Sequence, residues 1–403
     1  MNLSSKNFPP RPAWTEIDLG KLRRNLQLIR GDLPESVRLM AVVKDEAYGH
    51  GALDVARVSI DEGAWGFGLS TLEEAMHLRE GGITAPLLLL GERQEAELEW
   101  CVAHDLTVCV NELHAVRKLA KIAVDFGKQV PVHVKIHTGM SRYGVRWDEA
   151  LPLIEKILAE KSLRLEGVMT HFSQSDEADK TFANLQFARF SEVLRALEPK
   201  GISVKLRHAC NSGGFLDLPY AHLDMVRVGI LLYGVFPSQV CRQIPGIEPV
   251  MSVKAKIAAT QKLKPGEVVG YGMRYTAKTE RRIAILPIGY GDGFPRVRNE
   301  GCALIHGKRA PLIGGIAMDA LMVDITDIPQ AQMWDEAVLM GKQGGDEITV
   351  REIAKLKNSV TYDVLTNWRL RLRRKSVNGH KPETRITPID TKPTKAESIR
   401  VHS

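Results

Sequence analysis

The sequence lacks the features that mark disulfide-stabilised, zinc-binding and membrane-spanning proteins. Its five cysteines are scattered and odd in number, and none lies in a Cys-x-x-Cys pair or in a cysteine–histidine cluster with metal-binding spacing. No run approaches the roughly 18 apolar residues of a membrane-spanning helix, and the first twelve residues lack the apolar core of a signal peptide. We therefore expect a cytoplasmic protein that binds no metal and does not enter a membrane.

The charge balance leaves an enzyme and a nucleic-acid-binding protein both open. The formal net charge is +7, and much of the excess lies in the stretch Arg369–Lys375 and in the tail that follows it. A basic tail can bind nucleic acid, but no nucleic-acid-binding motif precedes this one. We predict no nucleic-acid partner. Residues 376–403 are polar and contain no Phe, Trp or Tyr, which predicts a disordered basic tail.

Eight short apolar runs alternate with amphipathic stretches in the first part of the chain. Eight strand-then-helix units predict a (β/α)8 barrel of the TIM type over residues 12–245, so the fold class is α/β. An open, doubly wound sheet is the alternative, and it is disfavoured because no Gly-x-Gly-x-x-Gly follows the first run. The runs are Leu39–Val43, Trp65–Leu69, Pro86–Leu90, Leu106–Val110, Val132–Ile136, Leu163–Met169, Val204–Arg207 and Leu223–Val228.

The pattern of apolar residues along the sequence changes after Pro245. Short apolar runs are broken by Gly, Pro and Asp, and helical periodicity is mostly absent until Val350–Leu356. This pattern predicts a C-terminal antiparallel β domain over residues 246–375. The runs are Val250–Ala258, Val268–Tyr271, Arg282–Pro287, Cys302–His306, Ala310–Ile313 and Leu321–Ile325.

Chemically unusual polar residues follow five of the eight predicted barrel strands. Because the carboxyl ends of barrel strands open onto one face, where such enzymes build their active sites, we expect these residues to share a site. Lys44, directly after the first run, would be partly desolvated, which lowers a lysine pKa and makes the amine a nucleophile toward aldehydes. The residues are Lys44, Arg142, His171, Asn211, Ser212 and Arg227.

Several segments resemble the motifs of one enzyme family. Ala41–Gly51 reads AVVKDEAYGHG and is similar to the cofactor-attachment signature of the alanine racemases, and the resemblance extends from about Pro12 to Tyr362. The further matching segments are His137–Gly144, Met169–Phe172, His208–Ser212, Val226–Ile230, Gly270–Tyr275, Pro287–Gly293 and Met318–Asp319.

The resemblance implies a cofactor and two catalytic residues. Lys44 would bind pyridoxal 5'-phosphate covalently, and Tyr271 would be the second base. A racemase must remove and return a proton on opposite faces of one carbon, which takes two bases or one base that moves. A phenol is a weak base at neutral pH, so Tyr271 needs positive neighbours, and Arg227 with His171 match the family's partners.

The resemblance also implies the remaining contacts. Arg227 would face the pyridine nitrogen and keep it unprotonated, because arginine does not give up its proton. Arg142 and the backbone of Met318 would hold the substrate, and Lys135 matches a lysine that is carbamylated in some members. The expected cofactor-binding residues are Lys44, Tyr48, Arg142, His171, Asn211, Ser212, Arg227, Gly229, Ile230 and Tyr362.

The resulting expectation is a homodimeric alanine racemase with shared active sites that supplies D-alanine for peptidoglycan. The alternatives are a racemase of broader range that also acts on serine, a cofactor-binding homeostasis protein with the same barrel, and a non-catalytic nucleic-acid binder. The sequence departs from the family at Asp45 and Glu46. It departs again at Gly315-Ile316-Ala317, where an arginine, an aliphatic residue and a cysteine or serine are usual. These departures concern substrate range.

Overall fold

A closed ring of parallel strands forms the larger part of the fold. The computed structural model describes residues 9–379. The strands up to residue 228 are β1 (Ala13–Asp18), β2 (Arg38–Val42), β3 (Gly66–Leu69), β4 (Leu87–Leu89), β5 (Thr107–Val110), β6 (Val130–His137), β7 (Val145–Arg146), β8 (Leu163–Met169), β9 (Leu206–His208) and β10 (Met225–Val228). In the barrel, β2 to β6, β8 and β9 pair in sequence, and β10 pairs with β2. Backbone hydrogen bonds from Asp224 N to Arg207 O and from Arg227 N to Cys210 O, 3.1 and 3.0 Å long, link β9 to β10.

Helices cover the outside of this ring. They are Leu19–Gly31, Ala52–Asp61, Leu72–Glu80, Glu95–Ala103, Leu113–Asp125, Ala150–Ala159, Thr181–Leu197 and Ser212–Asp217. The barrel strands are therefore buried on both faces, which is why they read as continuous apolar runs. A separate apolar cluster fills the inside of the barrel, formed by Met40, Leu88, Cys109, Met169, Leu206 and Met225. The predicted barrel is confirmed, and each predicted run overlaps one of its strands.

The second sheet is largely antiparallel, as predicted for the C-terminal part. Its order is β12-β15-β18-β17-β16-β19-β11-β1-β21, with β20 paired to β19 and a small hairpin of β13 and β14 beside it. The strands are β11 (Met251–Lys256), β12 (Ala259–Leu263), β13 (Val268–Val269), β14 (Tyr275–Thr276), β15 (Arg281–Leu286), β16 (Cys302–Ile305), β17 (Lys308–Ile313), β18 (Leu321–Asp324), β19 (Glu336–Gln343), β20 (Asp346–Ile348) and β21 (Arg373–Val377). Two helices follow β20, at Val350–Lys357 and Thr361–Thr366.

Both ends of the described chain enter this second sheet. Strand β1, which the sequence analysis did not predict, pairs antiparallel with β11 and parallel with β21. Its alternating burial is clear in the structure, but a six-residue alternation is a weak signal without its partners. Asp18 then caps the first helix by accepting a 3.0 Å hydrogen bond from Lys21 N. Ser376 and Val377, the start of the predicted tail, lie in β21, and residues 380–403 lie outside the described residues.

A buried carboxylate ties the N-terminal segment to the second sheet. Asp292 is fully buried, and its two oxygens accept hydrogen bonds of 2.7 and 2.8 Å from the guanidinium of Arg11. It also accepts a 2.9 Å hydrogen bond from Gly289 N and lies 3.4 Å from Arg371 Nε. Removing one partner of such a pair leaves a buried charge without compensation.

We expect Arg11→Ala to lower the free energy of unfolding by about 3–5 kcal/mol, because the fully buried Asp292 loses its guanidinium partner. Chemical denaturation at a fixed protein concentration measures it. Asp148→Ala is the control, because Asp148 pairs with Arg146 on the exposed surface. Equal denaturation midpoints for the two variants would show that the Arg11–Asp292 pair does not stabilise the fold.

Candidate active site

One cavity of about 860 Å³ opens at the carboxyl ends of the barrel strands. It gathers ten of the twelve residues that the sequence analysis proposed for the site, although they come from several different strands and loops. Those ten are Lys44, Tyr48, Arg142, His171, Asn211, Ser212, Arg227, Gly229, Ile230 and Tyr362. The rule that polar residues after strands converge on one barrel face predicted six of them, namely Lys44, Arg142, His171, Asn211, Ser212 and Arg227, and the family resemblance supplied the other four.

Lys44 begins an unusual turn. The four residues after it, Asp45 to Tyr48, all have φ between 52° and 55°, so the chain makes a left-handed turn. Such backbone costs about 1–2 kcal/mol per residue and persists only where surrounding contacts hold it. The turn returns Tyr48 to the cavity that Lys44 lines. Burial, and then the positive charge of Arg142, lowers the pKa of Lys44, which raises the fraction of neutral, nucleophilic amine.

Of the two departures after Lys44, Glu46 helps to hold this turn through its side chain, whereas Asp45 contributes through its backbone N–H. Asp45 N donates a 2.6 Å hydrogen bond to Glu74 Oε1, from the helix that follows β3. Glu46 Oε2 accepts a 2.7 Å hydrogen bond from Arg374 Nη1, on β21. The lysine-bearing loop is thus attached to the sheet of the second domain by a pair of residues that lie 328 positions apart.

Arg227 is a buried cation at the floor of the cavity. Its side chain is almost fully buried, and it donates hydrogen bonds to Thr170 O, Ala209 O and two histidines. The histidine atoms are His208 Nδ1 at 2.8 Å and His171 Nδ1 at 3.1 Å. Burial lowers the pKa of Arg227 to about 10, so the guanidinium is still charged at neutral pH.

Contact with Arg227 fixes the tautomer of His171. A guanidinium only donates, so His171 Nδ1 must accept and the ring proton of a neutral imidazole lies on Nε2. Burial, followed by the charge of Arg227, holds the pKa of His171 well below its usual value, so the ring is neutral. His171 lines the cavity, so its Nε2–H is a donor available to a group inside it.

Tyr271 and Met318 lie away from this cavity. The side chain of Tyr271 is 82% exposed and that of Met318 is 54% exposed. Tyr271 starts the short 3-10 turn between β13 and β14 and borders a separate depression of about 250 Å³ together with Tyr290, Arg296 and Arg298. Within one chain, these two predicted residues therefore do not meet Lys44.

The sequence analysis missed several charged residues that line the main cavity. They are Asp45, Glu74, Arg93, Lys135, Asp176 and Asp363, of which Asp45 and Lys135 had been noted without being assigned to the pocket. Arg93 follows the end of β4, so the same strand-end rule could have found it. Asp363 lies on a helix after the second sheet, and no local pattern marks it.

Comparison with known proteins agrees with this arrangement. The family model described as alanine racemase, N-terminal domain, matches residues 17–237, and the model for the C-terminal domain matches residues 250–376. An alanine racemase of Carboxydothermus hydrogenoformans is 41% identical over 366 residues, which is 90% of this chain and 99% of that protein. The chain belongs to the alanine racemase family. These matches show that it is an enzyme of that family.

Solved structures of family members superimpose closely on this chain. The alanine racemase of Clostridium difficile 630 is 34% identical with a TM-score of 0.87, covering 91% of this chain and 96% of its own. A histidine racemase of Leuconostoc mesenteroides is 27% identical with a TM-score of 0.84, covering 92% and 99%. The fold is therefore shared with racemases whose names give different amino acids.

A cradle of hydroxyl groups and backbone lies where β10 ends. Ser212 Oγ accepts hydrogen bonds from Gly229 N at 3.0 Å and from Leu231 N at 3.5 Å. A Cβ on Gly229 would lie 2.7 Å from Tyr48 Oη, so only glycine lets the backbone come this close. Tyr362 completes the aromatic side, with its ring centre 6.2 Å from that of Tyr48. Neutral hydroxyl and amide donors of this kind suit a bound phosphate.

Lys135 lies on β6 beneath the loop that carries Arg142. The side chain is buried, and its Nζ donates a 2.8 Å hydrogen bond to Leu90 O and lies 5.3 Å from the centre of the Tyr143 ring. Burial lowers the pKa of Lys135 to about 8, and the charge of Arg142 contributes to this shift. A neutral amine is the form that reacts with carbon dioxide, so carbamylation of Lys135 stays a prediction that this environment favours.

Neither a metal-binding cluster nor a membrane-spanning helix is found within residues 9–379. Among residues 9–379, no group of three or more His, Cys, Asp or Glu side chains could hold a metal ion. None of the helices in the same range is both long enough and apolar enough to cross a membrane.

Gly229→Ala should lower the free energy of unfolding by about 1–3 kcal/mol, the usual cost of overpacking, because Tyr48 is buried and cannot move aside. Thermal unfolding measures it. Gly345→Ala is the control, since a Cβ there meets no atom within 4 Å. Adding Tyr48→Phe to Gly229→Ala should recover part of the loss by removing the clashing hydroxyl. An unchanged melting temperature in Gly229→Ala would contradict the close approach.

Proposed function

We propose that this enzyme uses pyridoxal 5'-phosphate to interconvert L-alanine and D-alanine by proton transfer between Lys44, Tyr271 and the substrate Cα. The observation that carries the proposal is the meeting of a lysine of lowered pKa, a buried arginine and a hydroxyl-lined cradle in one cavity. Each of these matches one part of the cofactor: its aldehyde, its ring nitrogen and its phosphate.

The residues present fit the cofactor on chemical grounds. When bound, pyridoxal phosphate withdraws electrons from the substrate Cα, so that the proton on this carbon becomes mobile. Ser212, Tyr48 and Tyr362 supply hydroxyl groups to the phosphate, with backbone donors near Gly229 and Ile230. Asn211 orients this corner, because its Oδ1 accepts hydrogen bonds from Gly214 N at 2.9 Å and from Ser175 Oγ at 2.7 Å.

Arg227 sets how strongly the cofactor withdraws electrons. An arginine facing the ring nitrogen donates a hydrogen bond but keeps its proton, so the nitrogen stays unprotonated. Electron withdrawal is then weaker than with a carboxylic acid partner. Arg227 would therefore favour return of the proton to Cα over side reactions such as transamination.

Two bases on opposite sides of Cα give the enzyme access to both enantiomers. The Lys44 amine serves one side, and its lowered pKa raises the fraction of amine that is free to accept a proton. Tyr271 serves the other. His171 lines the cavity, and its Nε2–H is the donor that would stabilise a tyrosine oxygen which has lost its proton. Arg142 binds the substrate carboxylate, assisted by the backbone of Met318.

A second copy of the chain is needed to complete this site. Tyr271 and Met318 are exposed and do not line the cavity of their own chain. An isologous homodimer, in which the C-terminal domain of one subunit covers the barrel mouth of the other, would bring them to the partner's Lys44. It would also bury the exposed side chains of Tyr271 and Met318.

Alanine is the proposed substrate, and D-alanine for peptidoglycan the proposed product. A racemase of broader range, active also on serine, is the second candidate. It is favoured by Ala317 and Gly315, which leave less side chain beside Met318 than the family's usual residues. We propose a cytoplasmic location.

Lys44→Ala should lose both racemisation and covalent cofactor attachment, because the nucleophilic amine is gone. Borohydride reduction followed by peptide mass analysis measures attachment. Lys135→Ala is the matched control, since Lys135 is the other lysine that lines the cavity, and this variant should still attach cofactor at Lys44. Cofactor fixed to Lys135 in the Lys44→Ala protein would show that the assignment is wrong.

The shared site is tested by mixing two inactive variants, Lys44→Ala and Tyr271→Phe, after reversible dissociation. Random pairing makes about half of the dimers mixed, and each mixed dimer has one intact site, so about one quarter of wild-type activity should return. Subunit exchange is verified by mass spectrometry with one subunit isotopically labelled. No recovery in a fully exchanged pool would exclude shared sites and leave the assignment of Lys44 untouched.

A further inference from the structure

A chain of buried polar side chains runs from Arg227 into the barrel, through an interior that is otherwise apolar. His208 Nε2 and His133 Nδ1 are 2.9 Å apart, and both rings are fully buried. His133 Nε2 lies 3.4 Å from Glu166 Oε2, which is an electrostatic contact rather than a hydrogen bond, and among the described residues this nitrogen has no hydrogen-bond partner. Glu166 is itself buried, and its second oxygen accepts a 3.0 Å hydrogen bond from Arg164 Nη1.

The two ends of this chain determine the position of every proton in it. Arg227 can only donate, so His208 Nδ1 accepts, and the proton of a neutral ring lies on Nε2. That proton is donated to His133 Nδ1, so the proton of His133 lies on its own Nε2 and points to Glu166. A carboxylate only accepts, so Glu166 places a negative charge beside this N–H while both rings stay neutral.

The titration behaviour of the three groups agrees with this arrangement. Burial lowers the pKa of His133, and it holds that of His208 well below the ordinary value, so neither ring is charged at neutral pH. Burial alone would raise the pKa of Glu166, but His133 and Arg164 outweigh it and hold the pKa below its ordinary value. Glu166 is therefore an ionised acceptor.

The backbone of the barrel is adapted to this chain. The register between β6 and β8 shifts after Val132, so that His133 pairs with Gly167 and Glu166 is the extra residue of a β-bulge. A bulge changes the direction of the side chain it carries. A Cβ on Gly167 would lie 2.6 Å from ring atoms of His133, so this ring position requires glycine.

Within residues 9–379, Arg227 forms no direct ion pair with an anionic side chain. Its four acceptors are two carbonyl oxygens and two neutral rings. Glu166 is thus the negatively charged group at the far end of the series of buried side chains that begins at this cation. A buried charge is costly when its partners are not oriented, so the direction of the chain affects how Arg227 is held.

We propose that Glu166 is a positioning residue for the reaction: through His133 and His208 it fixes the direction of the buried chain and so holds Arg227 as the donor to the cofactor nitrogen. The last step of this inference rests on the proposed function, because it takes the cofactor nitrogen as the target of Arg227. The direction of the chain does not rest on it.

The first measurement is the nitrogen-15 NMR spectrum of the enzyme labelled at its histidines. Both His133 and His208 should be neutral, with the proton on Nε2 and an unprotonated Nδ1. Single histidine substitutions assign the signals. A charged ring, or a proton on Nδ1 in either residue, would overturn the proposal. This result is obtained whether or not the enzyme binds pyridoxal phosphate.

The second measurement compares three variants. Glu166→Met removes the acceptor, so His133 and His208 should shift to a mixture of tautomers. Glu166→Gln keeps an uncharged acceptor oxygen and should restore the wild-type signals. Arg164→Met is the matched control, because it removes the partly exposed partner of Glu166 and leaves the buried chain intact. A Glu166→Gln spectrum like that of Glu166→Met would contradict the assigned role.

The link to the cofactor is read from pyridoxal phosphate labelled with nitrogen-15 in its ring. In the wild-type, Glu166→Gln and Arg164→Met proteins, the ring nitrogen should be unprotonated and give the same shift. In Glu166→Met it should move, and the share of transamination should rise several-fold relative to racemisation. If Glu166→Met shows the wild-type nitrogen shift and the wild-type share of transamination, Glu166 has only a structural role and the proposal is wrong. If the enzyme binds no cofactor at all, the proposed function is wrong. The histidine spectra then still test the tautomers of His133 and His208, and so the direction of the buried hydrogen-bond chain.

Discussion

A single buried guanidinium is the constraint around which the site is organised. Arg227 lies at the end of β10, where the ring of strands closes, and it has to be satisfied by acceptors from neighbouring strands. Those acceptors come from the residues that follow β8 and β9, so the side chain can be held only when the barrel is complete. The same contacts fix the tautomer of His171 and orient His208. The electrostatic properties of the cavity floor thus depend on closure of the barrel.

The contacts between the two sheets explain how a loop as strained as Asp45–Tyr48 is maintained. Strand β1 starts in the second sheet and leads directly into the first helix of the barrel, and β21 returns to pair with it. Arg374 on β21 binds Glu46, while Arg11 before β1 binds Asp292. The C-terminal end of the described chain therefore braces the loop after Lys44, and the unusual Glu46 has a partner that accounts for it.

The chemical groups of the proposed site are divided between the two domains, which is the physical reason for the proposed dimer. The barrel carries the amine, the buried cation and the phosphate cradle, which need a preformed, rigid site. The second domain carries Tyr271 on an exposed turn between two short strands. A site completed by another subunit encloses the substrate between two rigid bodies, and it excludes water without requiring a mobile lid within one chain.

Tyr48, Gly229, Ile230 and Tyr362 were predicted from the family resemblance alone, whereas the eight barrel strands, the antiparallel second sheet and six other cavity residues were predicted from the sequence pattern. These depend on local patterns: the run of apolar residues that a doubly buried strand requires, and the polar residue that ends it. Only the tertiary structure decided which sheet β1 joins, which residue balances Glu46, and how His133, His208 and Glu166 connect to Arg227. Those contacts join residues tens to hundreds of positions apart, and hydrogen bonds between distant residues depend on how strands align in space, which no local pattern of the chain records.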